Sequence, residues 1–289
     1  MALLIPEQNS VSEMWLETLR YVDAAGGRAV NVLSSTRNPT LEVPEIRDVA
    51  DRWLVRDARD HSVQPVSTVA STIFPSGRYR SPSLRWSKDL PESDKALLDA
   101  RAESLYARHI KSIPTLLQFD GNLHGTYFSR MVCWPGKLAG EVNQLRDRII
   151  SLRSFHDRPV SSTNVHDIVV AGEADAPTYS DVRGLQVLQP TDRRTRGFPC
   201  LVHVDLTVHD NELHMMAVYR HQYLVTKSYG NILGLGRLQQ FLCEQTGYSM
   251  GELAVQATLA DAEYGTWSQK RVRHIIGEAN EALQLRAAA

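Results

Sequence analysis

The chain has 289 residues, 43% hydrophobic and 22% charged, the composition of an ordinary globular protein with room for one large α/β domain or two small ones. Its net charge of −1 excludes the basic excess of a nucleic-acid-binding surface, so any anion site must rest on a few local arginines. No apolar run reaches the roughly 18 residues of a membrane span, and the opening MALLIPEQNS lacks the basic and apolar segments of a secretion signal.

Ser10 and Glu13 have capping-box spacing, and Met14, Trp15, Leu19 and Val22 then recur at helical intervals until Gly26 and Gly27 end the helix. RAVNVLSSTRNPTLEVPEIRD follows as a strand, a turn at Asn38-Pro39 and a second strand. VSTVASTIF reads as a buried strand or a short helix, and Pro75, Gly77, Pro82 and Pro91 break what comes next. Helices are expected over about 93–110 and over 139–153, the latter with Val142, Leu145, Ile149 and Leu152 on one face. Residues 154–181 are polar and irregular and read as an insertion in a single domain spanning 1–289. From Leu185 strands dominate. CLVHVDLTVHD alternates, with Cys200, Val202, Val204, Leu206 and Val208 on one face, and ELHMMAVYRH returns after a turn at Asp210-Asn211 as an antiparallel hairpin. A helix over 231–246 ends at Gly247.

Three cysteines, Cys133, Cys200 and Cys243, form no closed disulfide set and no CxxC, which points to a reducing cytoplasm. Cys133 and Cys243 read as core residues. Cys200 differs in its neighbours. It follows Pro199 and opens the hairpin, Arg220 stands twenty residues later on the return strand, and Asn231 eleven residues beyond opens a helix followed by Gly251. Earlier, GTYFSRMVCWP sets Tyr127 seven residues before Trp134-Pro135, and Asn143-Gln144-Leu145 belongs to the next helix.

In order and spacing these stretches, about half of the chain, resemble the thymidylate synthases and pyrimidine-nucleotide hydroxymethylases. The resemblance implies an α/β fold, a thymidylate-synthase-like mixed sheet with flanking helices and a sheet face that pairs two subunits. It implies that Cys200 is the nucleophile and that Asn231 and Tyr127 meet the pyrimidine. Arg37, Arg220 and His221 would hold the nucleotide phosphate, and Arg183 would reach the phosphate of the neighbouring subunit in an isologous homodimer. Asp261 and Glu263 stand where the family contacts the sugar. The implied one-carbon donor is methylenetetrahydrofolate, the partners are a pyrimidine nucleoside monophosphate and a second copy of the chain, and no metal, nucleic acid or membrane is expected.

Chemistry gives the pattern a reason. C5 of a uracil or cytosine ring is a poor nucleophile until a thiolate adds at C6, after which C5 can attack an electrophilic carbon. An arginine near the thiol favours its ionised form, since a free cysteine titrates near 8.5. An asparagine amide offers a donor and an acceptor to the ring edge.

The chain also departs from the family. Where the family carries a proton-relaying glutamate, VSTVASTIF has Ala70 or Ser71; the aspartate that holds the folate pterin is replaced by Tyr223; and EANEALQLRAAA stands in place of the final strands and closing tail. Asp261 and Glu263 replace a histidine and a tyrosine, which suits ribose hydroxyls, although a solvated acidic turn before Tyr264 reads equally well. His221 reads equally as a solvated histidine, and Arg193, Arg194 and Arg196 as surface charge. Three functions stay open: C5 transfer to a pyrimidine monophosphate, a nucleotide-binding module or enzyme without folate, and an interaction protein on the same scaffold.

Overall fold

The computed structural model describes residues 2–56, 63–119, 122, 125–135, 141–156, 185–186 and 200–288. In chain order the elements are β1 (Leu3–Leu4), α1 (Val11–Ala24), β2 (Arg28–Thr36), α2 (Pro44–Arg56), α3 (Val66–Ile73), α4 (Glu92–Leu116), α5 (Tyr127–Val132), β3 (Trp134–Pro135), β4 (Glu141–Val142), α6 (Gln144–Phe155), β5 (Leu185–Gln186), β6 (Leu201–His209), β7 (Glu212–Tyr223), α7 (Tyr229–Thr246), β8 (Ser249–Asp261), α8 (Tyr264–Trp267) and α9 (Gln269–Ala288). The chain is a mixed α/β protein with two compact units. The first holds residues 1–74, 216–237 and 251–289, the second 75–215 and 238–250.

In the first unit the strand order is β1-β2-β8-β7. β1 runs parallel to β2, and β2 pairs antiparallel with β8 from Arg28 opposite Asp261 to Thr36 opposite Leu253. α1 begins where the sequence predicts: Ser10 Oγ accepts the N–H of Glu13 and donates to its carboxylate, and Met14, Trp15, Leu19 and Val22 are buried. Gly26 and Gly27 both have positive φ, and the Gly27 N–H donates to Val22 O, closing the helix.

The second strand expected after Asn38-Pro39 is instead α2. Pro44 suits a first helical position, and Ile46, Val49, Ala50 and Leu54 are buried at helical rather than alternating spacing. The ambiguous VSTVASTIF forms α3, with Val66, Val69, Ala70 and Ile73 buried. It lies close against the start of α7: a Cβ at Gly230 would come 2.5 Å from Val69 Cβ, and one at Gly234 would come 2.7 Å from Ala70 O. Between β7 and α7 the backbone makes one π-helical turn, Leu224–Ser228. β8 is a long strand that the sequence reading did not place, although Leu253, Val255 and Ala257 alternate as buried residues.

In the second unit the order is β7-β6-β5, with β3 and β4 forming a separate antiparallel pair. Asp210 and Asn211 both have positive φ, the conformation of a tight two-residue hairpin turn, so the β6–β7 hairpin is as expected. α4 outruns its expected end and continues past Pro114. α6 starts later than expected, because Asn143 Oδ1 caps the Arg146 N–H and Glu141–Val142 pair as a strand. The last carbonyls of α7 are met by side chains from the end of α6: Arg153 Nε donates to Gln245 O at 2.7 Å, and His156 Nε2 lies 2.7 Å from Thr246 O. Most of the expected insertion at 154–181, along with Arg183, Arg193, Arg194, Arg196 and Pro199, lies outside the described residues. No helix among the described residues is long and apolar enough to cross a membrane.

Candidate functional site

Cys200 stands in the second unit immediately before β6, half-buried and in no disulfide with the other cysteines. Its N–H points to the hydroxyl of Tyr127, the first residue of α5, at 3.3 Å, and the Leu201 N–H reaches the same oxygen at 3.4 Å. Burial, reinforced by the negative charge of an ionised Cys200, pushes the Tyr127 phenol up to about 12. Thus the two stretches that carry the resemblance, 73 residues apart, meet at one phenol oxygen.

What fixes Tyr127 is a buried hydroxyl cluster. Thr126 Oγ1 accepts the Ser129 N–H at 3.1 Å and caps α5, and it lies 2.9 Å from Ser129 Oγ. Ser129 Oγ in turn lies 2.9 Å from Nε2 of His109 on α4. Burial, helped by Arg78, lowers the His109 pKa to about 4, so the ring is neutral. Neither His109 nor Ser129 carries a signal in the local sequence; only the packing of α4 on α5 brings them together.

The other candidates belong to the first unit. At its end β7 presents Arg220 and His221, both half-buried. His221 stacks on Tyr223 at 4.2 Å, and its Nε2 lies 3.6 Å from Oδ2 of the buried Asp261, which ends β8. The same carboxylate oxygen accepts Arg28 Nε at 2.9 Å. Arg28 opens β2 directly opposite Asp261 and its side chain is 72% exposed, so its terminal amino groups face solvent. Sequence reasoning missed Arg28, although it is the basic residue that opens the strand after Gly26-Gly27.

Arg37 lies just past the far end of β2, nine residues and roughly 30 Å of extended chain from Arg28. It pairs with Glu7 at 2.6 Å. Glu263 is held from within the fold. Its Oε2 accepts the N–H groups of Val225 and Thr226 and its Oε1 the Thr226 hydroxyl, each at 2.8 Å, which ties it to the π-helical turn. Burial raises the Glu263 pKa against the pull of those donors. Its own N–H donates to Asp261 Oδ1, and its backbone is left-handed, with φ 61°.

Asn231, the third residue of α7, is buried, and its amide has no hydrogen-bond partner among the described residues. Cys243, by contrast, is a core thiol that burial pushes up to about 12. Ala70 packs toward Gly234 and Ser71 bonds back to Ser67 O, so α3 offers no carboxylate at either position. No group of residues among those described could hold a metal ion. No family model matches the chain, and no curated protein matches it.

Proposed function

We propose that this protein has a thymidylate-synthase-like fold and modifies C5 of a pyrimidine nucleoside monophosphate through a Cys200 adduct. The observation that carries the reading is the Tyr127 hydroxyl receiving the N–H groups of Cys200 and Leu201. Two separate stretches that resemble the family are in contact at the residue whose chemistry matters. Asn231 adds support, because a buried amide that bonds to none of the described residues has donors and an acceptor suited to a ring edge.

In the proposed reaction the Cys200 thiolate bonds to C6 and the C5–C6 double bond opens, which places its electron pair on C5 and the adjoining carbonyl. C5 then attacks the carbon of an electrophilic one-carbon donor: the new C5–C bond forms as that carbon's bond to the donor's leaving group breaks, the leaving group keeping the electron pair. The C5 proton passes to a base and the C6–S bond breaks, which returns the thiolate and restores the C5–C6 double bond. The resemblance puts Arg37, Arg220 and His221 at the nucleotide phosphate, with Arg183 from the neighbouring subunit of a homodimer. Methylenetetrahydrofolate is the donor that the resemblance implies. Tyr223, 39% exposed and stacked on His221, stands where the family has the carboxylate that holds the pterin, and no step is routed through folate.

The test is incubation with UMP, dUMP, CMP or dCMP and methylenetetrahydrofolate, with C5-substituted products read by mass spectrometry. Cys200→Ala should abolish product while sparing nucleotide binding. Failure with all four nucleotides, from protein that binds them, would sink the transfer. The substitution at Tyr223 favours a second reading, nucleotide binding without folate. Calorimetry that detects a nucleotide but no folate would select it.

A further inference from the structure

We propose that Tyr127 tunes Cys200, donating its phenolic proton to the thiolate and so holding the cysteine in its reactive form. This rests on Cys200 being the reactive thiol of the proposed transfer. A phenol has one proton to give and two lone pairs to accept with. Both acceptor positions of Tyr127 are taken by consecutive backbone N–H groups, those of Cys200 at 3.3 Å and Leu201 at 3.4 Å. The proton is therefore turned away from the backbone, and among the described residues no hydrogen bond receives it. The Cys200 side chain branches from the residue whose N–H the same oxygen accepts, so phenol and thiol share one neighbourhood.

The charges around the pair suit this role. Burial keeps the phenol protonated at neutral pH, so it remains a donor throughout the range in which a thiol ionises. Arg130, one turn along α5, acts on the phenol in the opposite sense, and His109 on α4 is neutral at pH 7. When Cys200 ionises, its S–H bond breaks and that proton passes to solvent; the Tyr127 O–H bond stays intact and its hydrogen turns to the sulfur. Hydrogen bonding to the charged form of an acid lowers its pKa. Tyr127 thus acts as a positioning residue, through Cys200.

The test reads the ionisation of Cys200 directly in the full chain. Iodoacetamide modification of Cys200, resolved from Cys133 and Cys243 by peptide mass spectrometry, is followed from pH 5 to 10. The midpoint for Tyr127→Phe should lie about one pH unit above that of the unaltered protein. Replacing Tyr127 with 3-fluorotyrosine, a stronger donor of nearly the same shape, should move it down, which keeps the idea testable if the phenylalanine variant folds poorly. Arg153→Ala removes a cap on α7 in the same unit and serves as the control for mere destabilisation; its midpoint should not move. Unshifted midpoints in both Tyr127 variants, or an equal shift in Arg153→Ala, overturn the proposal. A shifted midpoint without any C5 product sinks the transfer alone, and product with an unshifted midpoint sinks the role of Tyr127 alone.

Discussion

His109 shows how a single buried side chain makes stability depend on pH. Its ring is almost fully enclosed and its pKa falls from about 6.5 to about 4, chiefly through burial. The unfolded chain therefore binds a proton in the interval where the folded chain does not, and stability must fall as pH falls from about 6.5 to about 4. A shift of that size corresponds to roughly 3 kcal/mol. Urea unfolding at pH 7 and pH 4 should show that loss in the unaltered protein and a loss smaller by about that amount in His109→Gln. Some residues at this scale were legible in the sequence. Cys200 was marked by its proline, its arginine and its asparagine, and Tyr127 by its spacing from Trp134. The bond between them was not legible, and neither was the pairing of Arg28 with Asp261, 233 residues apart, because no local pattern encodes a contact across a sheet.

Elements were readable where their ends carry chemistry. Ser10, Glu13 and the glycines at 26 and 27 delimit α1, and Asp210-Asn211 set the hairpin, since left-handed backbone is cheapest for asparagine, aspartate and glycine. α2 was misread because VPEIRD begins like an extended segment and its helical burial spacing appears only from Ile46 onward. The π-helical turn had no sequence signal at all, for what holds it comes from elsewhere: the Glu263 carboxylate collects two backbone N–H groups and a hydroxyl. A carboxylate with three donors is worth more than the amide that replaces it, which would turn an NH2 toward one of them. Glu263→Gln should therefore cost about 2 kcal/mol in chemical denaturation, and hydrogen exchange at Val225 and Thr226 should rise with it. Unchanged exchange at those two amides would refute the clamp.

At the scale of the molecule, alternating and helical periods sufficed to read a mixed α/β chain, whereas the division into two units was not visible, because α7, β7 and β8 each contribute residues to both. A nucleotide that binds the folded chain must stabilise it by mass action. UMP or dUMP at 100 times its dissociation constant should add about 2.7 kcal/mol, seen as a rise in melting temperature, while a sugar phosphate lacking the base should add less. If no pyrimidine nucleotide moves the melting temperature, the nucleotide site itself is refuted. The glycines of the fold carry a last consequence, for how freely this sequence can drift. A side chain at Gly236 would run into the carbonyl of Pro39, and Gly230 and Gly234 are pressed against α3, whereas Gly277 on α9 has open space around its missing Cβ. In a library covering every single substitution and sorted for folded protein, positions 230, 234 and 236 should be nearly empty. Gly236→Ala should cost about 3 kcal/mol or fail to fold, and Gly277→Ala should be enriched, gaining about 0.5–1 kcal/mol in helix propensity.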